Sequence, residues 1–282
     1  MVSSQPSKTS SSELRFDVDN FKKEKKKNAY LLSMLSVIGV LGFLLIWQIT
    51  VTIGLINSKF LVAPLEVINL FVVKLTDASP DGNTLIVNIF ASLQVSLSGF
   101  LLAIVLGVPL GLLMGWYHGF DSFMRPIFEI IRPIPPVSWI PLTIVWLGIG
   151  LQAKAFIVFF SAFVPCVINS YTGIKQTSSV LINVAKTCGA SNFTTFWKVG
   201  IPSSLTMVFA GVKVALGNAW STLVAAEMLA ASAGLGYMIL MGRQFARPDI
   251  IILGITVIGA IGILFSSLLN AVENRVLMWK KV

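Results

Sequence analysis

The residues of this chain that could do chemistry are few, and they sit where charge is expensive. Glu129, Arg132, Lys213 and Glu227 fall within long apolar runs. An ionised side chain near the centre of a bilayer costs about 2.5–3.5 kcal/mol on insertion scales, so such a group must face protein and find a partner. Glu129 and Arg132 are three residues apart and can pair along one helical face. Glu227 has no base beside it in sequence, so its partner must come from another segment, Arg132 first and Lys213 second. Groups of this kind either lock helices together or line a path for a polar or anionic solute, and both readings stand for Arg132 and Glu227. Trp139, Trp146 and Trp220 are candidates for the same path, although aromatic side chains in membrane segments also serve as packing or interface anchors.

Other chemistry is thin. His118 is the single histidine and lies in a connecting segment without ligand partners nearby, which favours a plain surface role. Cys166 falls in an apolar run and Cys188 in a polar loop, a pattern that suggests neither a disulfide nor a metal site. The sequence has no nucleophile elbow, no paired metal-binding histidines and no G-x-x-x-x-G-K-[ST] phosphate loop. The expectation is a chain that is not an enzyme, binds no cofactor or metal and does not hydrolyse ATP. A membrane-embedded enzyme would need clustered His, Asp, Glu or Cys, and a gradient-driven carrier would show interrupted helices at matching positions of two halves.

The elements that position these residues are membrane spans. Hydrophobic residues make up 55% of the chain and charged residues 12%, the composition of an integral membrane protein. Spans of about 20 residues are predicted at 29–53, 89–116, 124–147, 153–174, 205–229 and 250–272. The fold class is therefore all-α, with six transmembrane helices and both termini on one side. Residues 1–28 form a polar, basic tail, expected to be disordered and not to be a cleaved signal. Residues 29–282 form the membrane domain. Lys8, Arg15, Lys22, Lys23, Lys25, Lys26 and Lys27 hold the tail in the cytoplasm. Arg125, Lys175, Lys186, Lys198, Arg275, Lys280 and Lys281 then fall on the same side, against Lys59, Lys74, Lys154, Arg243 and Arg247 on the other. The excess of 21 basic over 12 acidic residues is mostly topology, and no aromatic residues interleave the tail lysines as nucleic-acid binding would favour.

Two spans carry further signals. Gly107, Gly111 and Gly115 make overlapping small-x-x-x-small steps, a close-packing face that serves intrachain packing before a dimer seam. Arg125-Pro126, Arg132-Pro133-Ile134-Pro135-Pro136 and Pro141 must break or kink the third span, leaving it either as a pathway wall or as a structural kink.

Between the fourth and fifth spans, residues 178–202 are polar and basic. Ser178 or Ser179 can cap a first short helix, Gly189 can supply the left-handed residue that ends it, and Ser191 can cap a second helix through Lys198. Pro202 marks the return into the bilayer. This segment reads as a handle for a cytosolic partner.

Within the handle, Ala185, Gly189-Ala190-Ser191 and Ile201-Pro202 resemble the signature loop of the membrane subunits of binding-protein-dependent ABC importers. That motif usually opens with Glu-Ala-Ala; Asn183-Val184-Ala185 stand here, so the glutamate and any salt bridge it makes are absent. The likeness continues through Arg132 to Pro136, Trp146 to Gly150, Gly211-Val212-Lys213, Trp220 to Met228 and Gly234-Leu235-Gly236. Together these are similar to the taurine and aliphatic-sulfonate permeases, whose relatives carry nitrate, bicarbonate or cyanate. The resemblance implies the type I ABC importer (MetI-like) permease fold and a homodimer in the bacterial inner membrane. It also implies two copies of an ATPase that holds ATP and Mg, and an extracytoplasmic binding protein. By the same resemblance Asn183, Ala185, Gly189, Ala190, Ser191 and Pro202 couple the ATPase to the membrane helices.

Overall fold

The computed structural model describes residues 11–57 and 60–277, and it is all-helical. Lys8, Lys59, Lys280 and Lys281 lie outside the described residues. Two compact units divide at Leu65. In the first, α1 (Ser11–Thr52) contains an apolar span at Met34–Thr52. Helix therefore begins well inside the 1–28 tail that sequence left disordered, a correction for residues 11–28. The Glu- and Lys-rich run from Lys22 to Lys27 has good helix propensity and continues the turn of the span that follows it.

The second unit holds α2 (Pro64–Lys74), α3 (Leu85–Trp116), α4 (His118–Ile131), α5 (Ile140–Leu147) and α6 (Leu151–Lys175), followed by α7 (Ser179–Thr187), α8 (Asn192–Thr195), α9 (Ile201–Ala230), α10 (Leu235–Gln244) and α11 (Pro248–Val276). Its centre is a three-helix stack of α3, α6 and α9. Helices α3 and α6 run parallel because glycines let their backbones touch. A Cβ on Gly99 would lie 2.6 Å from the Ala155 carbonyl oxygen, one on Gly107 2.9 Å from Cys166, one on Gly111 2.3 Å from the Val167 carbonyl oxygen and one on Gly115 2.7 Å from Ile174. The small-residue steps are thus an intrachain seam. Helix α9 returns antiparallel to α6, with Gly173 on Ser204, Gly211 on Asn169, and Ser161 hydrogen-bonded to Thr222 at 2.7 Å. Helix α11 reverses again, tied to α9 by Trp220 Nε1–H donating to the Ile258 carbonyl at 3.0 Å and by the Lys213–Glu273 ion pair.

Parallel α3 and α6 require that the chain between them recross the bundle. It does so as a broken span, α4 and then the segment Pro136–Leu147, bent by 82° at the Pro-rich joint. Phe128 packs against Met114 and Val167 near one end, and Ile140 against Ile157 and Ala226 toward the other. The unit so gains five crossings, and α1 supplies a sixth segment long and apolar enough to span. One end, called here the handle end, carries Trp116, Lys175, α7 and α8. The opposite, loop end carries α10 and the segments before α3 and α6.

The loop end is pinned by a buried ion pair that sequence reading missed. Lys74 Nζ meets Asp81 Oδ1 at 2.5 Å with both side chains shut from solvent, and also donates to the Ser79 and Asn83 carbonyls. Asn88 Nδ2–H donates to the other Asp81 oxygen at 2.7 Å. In the same loop the Ser79 backbone N–H donates to Asp77 and holds its carboxyl below the ordinary range.

Candidate functional site

At the joint of the broken span, prolines decide the geometry. Helix α4 ends where Arg132 N–H donates to the Phe128 carbonyl at 2.8 Å, and Pro133, Pro135 and Pro136 have no N–H with which to extend it. A short 3-10 turn, Pro136–Trp139, redirects the chain into α5. The bend leaves a cavity of about 380 Å³ against α6 and α9. Arg132 supplies its charge, Ser161, Asn169 and Asn218 its other polar groups, and Ile134, Phe160, Val164 and Val214 much of its apolar wall. Asn169 is held by its Nδ2–H donating to the Pro165 carbonyl one turn earlier at 2.9 Å. Arg132 pairs with Glu129 at 3.9 Å, as their spacing predicts, and both side chains are about half exposed. Arg132 is therefore a cation with most of its donors free for a ligand.

Glu227 is elsewhere, and its expected pairing with Arg132 or Lys213 is corrected. It is fully buried toward the loop end of α9. Its two oxygens accept from Ser92 Oγ–H at 2.8 and 2.9 Å, and one also accepts from the Gly236 N–H at 2.8 Å. Ser92 Oγ in turn accepts from Leu235 N–H at 2.8 Å, and Asn88 Oδ1 from Gly234 N–H at 2.9 Å. Gly234 has φ +130°, and a Cβ there would fall 2.4 Å from the Glu227 carboxyl. The carboxyl is a clasp that fixes the turn between α9 and α10 onto α3. Lys213 spends its charge on Glu273 instead. Both hydrogen-bond partners of Glu227 are neutral, Ser92 on α3 and the Gly236 backbone just past α9, so a search for a complementary charge could not find them.

The tryptophans are not gathered at Arg132. Trp139 lies tilted against Phe160 with ring centroids 5.3 Å apart, one side chain back from the cavity. Trp220 is buried and meets Phe265 edge-on, beside a groove between α9 and α11. Trp146 is exposed on α5. Sequence reading missed Ser161, Asn169 and Asn218, whose signal was present. Ser161 and Asn169 lie two helical turns apart on one face, and Asn218 is one turn from Thr222.

The handle's turn and second helix form as Gly189 and Ser191 dictate, whereas Ser178, at the start of α7, makes no side-chain cap hydrogen bond. Helix α7 ends in a Schellman motif: Gly189, at φ +80°, donates to the Lys186 carbonyl at 2.9 Å, and Ala190 to the Ala185 carbonyl at 3.0 Å. Ser191 Oγ then accepts from Thr194 N–H at 3.1 Å to cap α8. The second helix does not stop before Pro202. A π-helical turn, Phe196–Gly200, joins α8 to α9 without a break, and Pro202 follows it directly as the second residue of α9. Asn192 Oδ1 accepts from Trp116 Nε1–H at 3.2 Å, Phe196 lies against Trp116 and Tyr117, and a Cβ on Gly200 would meet the Trp116 ring at 2.8 Å. The handle is thus seated on the end of α3. Its outer surface exposes Val180, Leu181, Val184, Phe193 and Trp197.

Comparison with known proteins bears on this arrangement. Residues 107–278 match the family profile described as binding-protein-dependent transport system inner membrane component. The chain is 35% identical over 246 residues to the taurine transport system permease protein of Escherichia coli (strain K12), covering 86% of this chain and 88% of that one. It is 33% identical over 233 residues to the bicarbonate transport system permease protein of Synechocystis sp. (strain ATCC 27184 / PCC 6803 / Kazusa), covering 81% and 83%. Among solved structures, a chain of the methionine ABC transporter MetNI in inward-facing conformations superposes with a TM-score of 0.53 at 20% identity, covering 67% of this chain and 95% of that one, a likeness of fold.

Proposed function

Because this chain belongs to the binding-protein-dependent transport system inner membrane components, the permease subunits of ABC importers, we propose that it forms the path for a small oxyanion, an aliphatic sulfonate such as taurine before any other. The cavity at the broken span carries this reading. Arg132 offers a half-exposed guanidinium whose planar donors suit a sulfonate or carboxylate head. Asn169, Asn218 and Ser161 add neutral hydrogen-bonding groups, and Phe160, Val164 and Val214 face a short alkyl stem. A nitrate or bicarbonate has no stem to bury, so the apolar wall favours the organic anion; the likeness to a bicarbonate permease supports the inorganic alternative.

The same membership supports the rest of the proposed assembly. Two copies of the chain pair in the bacterial inner membrane with their termini in the cytoplasm, and an extracytoplasmic binding protein delivers solute at the loop end. A cytosolic ATPase, also in two copies and carrying the ATP and Mg, grips the handle through Asn183, Ala185, Gly189, Ala190, Ser191 and Pro202. The exposed Val180, Leu181, Val184, Phe193 and Trp197 support that contact, since apolar surface of this extent on a polar loop is what a partner's groove covers. Nucleotide-driven closure of the ATPase would draw the handles together and open the path outward, and hydrolysis would reset it.

The test is reconstitution with the co-purifying ATPase and binding protein in proteoliposomes. ATP-dependent uptake of labelled taurine should be competed by alkanesulfonates and weakly by nitrate or bicarbonate, and Arg132→Gln should lower it at least tenfold. Uptake driven by an ion gradient without ATPase, or full activity of Arg132→Gln, would refute the reading.

A further inference from the structure

Below Arg132, toward the handle end, the groove between α4 and α6 continues. A cavity of about 230 Å³ shares Arg132 and Ile168 with the one at the bend, and it reaches Glu129, Arg125 and Tyr171. A third, of about 380 Å³, shares Asp121, Arg125 and Tyr171 with the second, and it opens beside His118, Ser122 and Lys175. Three cavities in series thus pass Arg132, then Arg125, then Lys175. The lowest is built around Tyr171, whose ring has Arg125 at 5.3 Å and Lys175 at 5.5 Å from its centre. Asp121, itself buried, accepts from Arg125 at 2.6 and 3.3 Å, and the Tyr171 hydroxyl accepts from Arg125 as well. Lys175 is exposed and makes no ion pair among the described residues.

This arrangement is more than a tidy ion pair. Asp121 takes the fork of Arg125 formed by Nε and one terminal nitrogen, leaving the N–H groups of the other terminal nitrogen. Lys175, a turn beyond Tyr171 on α6, adds a second cation with no counter-charge of its own. We infer that the Arg125–Tyr171–Lys175 cluster is a second oxyanion station, which receives the solute from Arg132 and releases it at the handle end. The inference rests on the oxyanion reading of the path. Asp121 acts there as a built-in competitor: it holds part of Arg125 and keeps the station weak, so that an anion arriving from Arg132 can leave.

Equilibrium binding of radiolabelled sulfate to the full chain in phosphatidylcholine nanodiscs, at fixed ionic strength, tests this. Two classes of site are expected, and Arg132→Gln should remove one and spare the other. Lys175→Gln should weaken the remaining class about fivefold, the size expected of one partly exposed charge. Asp121→Asn should tighten it, a change opposite in sign to any general loss of folding. A single class that vanishes in Arg132→Gln, or Lys175→Gln with wild-type affinity, overturns the station. So does a second class that is displaced as phosphatidylglycerol replaces phosphatidylcholine, because the cluster would then be a lipid headgroup site. Taurine uptake by the reconstituted complex separates the two ideas. Failure of any oxyanion to be imported, with both sulfate classes present, rejects the solute reading and with it the transport role, leaving an anion-binding cluster; Arg132-dependent taurine uptake with one sulfate class keeps the solute reading and rejects the station.

Discussion

Replacing Glu227 by Ala should cost this fold about 3–5 kcal/mol, from two buried donors left without an acceptor and the cavity left behind. The structure itemises the loss. The Gly236 N–H and the Ser92 hydroxyl, both buried, lose their acceptor, and each orphaned donor costs about 1–3 kcal/mol. The volume of the carboxyethyl group is vacated at a fully buried position, which adds a cavity term. Glu227→Gln keeps one oxygen for the Gly236 N–H but turns an amide N–H₂ toward Ser92 Oγ, which already accepts from Leu235. Its loss should be smaller, about 1–2 kcal/mol. The assay is thermal unfolding of the purified chain in a mild detergent, run beside Ser92→Ala. Because Ser92 and Glu227 share one hydrogen-bond network, the double variant Ser92→Ala, Glu227→Ala should lose less than the sum of the singles. A Glu227→Ala midpoint equal to that of the unsubstituted chain, or strict additivity with Ser92→Ala, would refute the clasp.

Two further predictions concern the handle and the loop end. Gly189→Glu has open space for its side chain but must hold φ +80°, a left-handed conformation that costs an L-residue about 1–2 kcal/mol; ATPase activity in the reconstituted complex should lose its dependence on solute while membrane insertion persists, and unchanged solute-dependent turnover would sink the coupling role. Lys74→Met leaves Asp81 buried without its cation and should destabilise by about 3–5 kcal/mol, whereas Lys74→Met with Asp81→Leu should recover much of that loss, read by the same thermal unfolding; equal losses would mean that the ion pair is not what pins the loop.

Much of this fold was legible because membrane spans and caps are local signals. The apolar runs located all six segments, the first and third with starts off by five or more residues, Gly189 and Ser191 placed the handle's turn and second cap, and the prolines around Arg132 announced the break. What escaped was set by long-range geometry. Helices α2 and α10 are too short to register as spans, and the helical extension of α1 into the basic tail reads in composition as disorder. Glu227 looked for a charge because insertion energetics demands a partner, yet a serine hydroxyl and a backbone N–H satisfied it. The π-helical turn before Pro202 ends at Gly200, which lies against the Trp116 ring, a contact across 84 residues that no local pattern encodes.

Helix α3 has one end under the handle and the other under the clasp. It is an unbroken run of 32 residues, about 48 Å long, with Trp116 bearing on Gly200 at the bottom and Asn88 and Ser92 gripping the Gly234 turn at the top. Its glycine seam with α6 stiffens it further. Pro109 lies within α3 and withholds one backbone N–H, so the helix has a place to flex between the two ends. The unit thus has a lever with a soft point: a shift at its handle end bears on the turn that caps the other end.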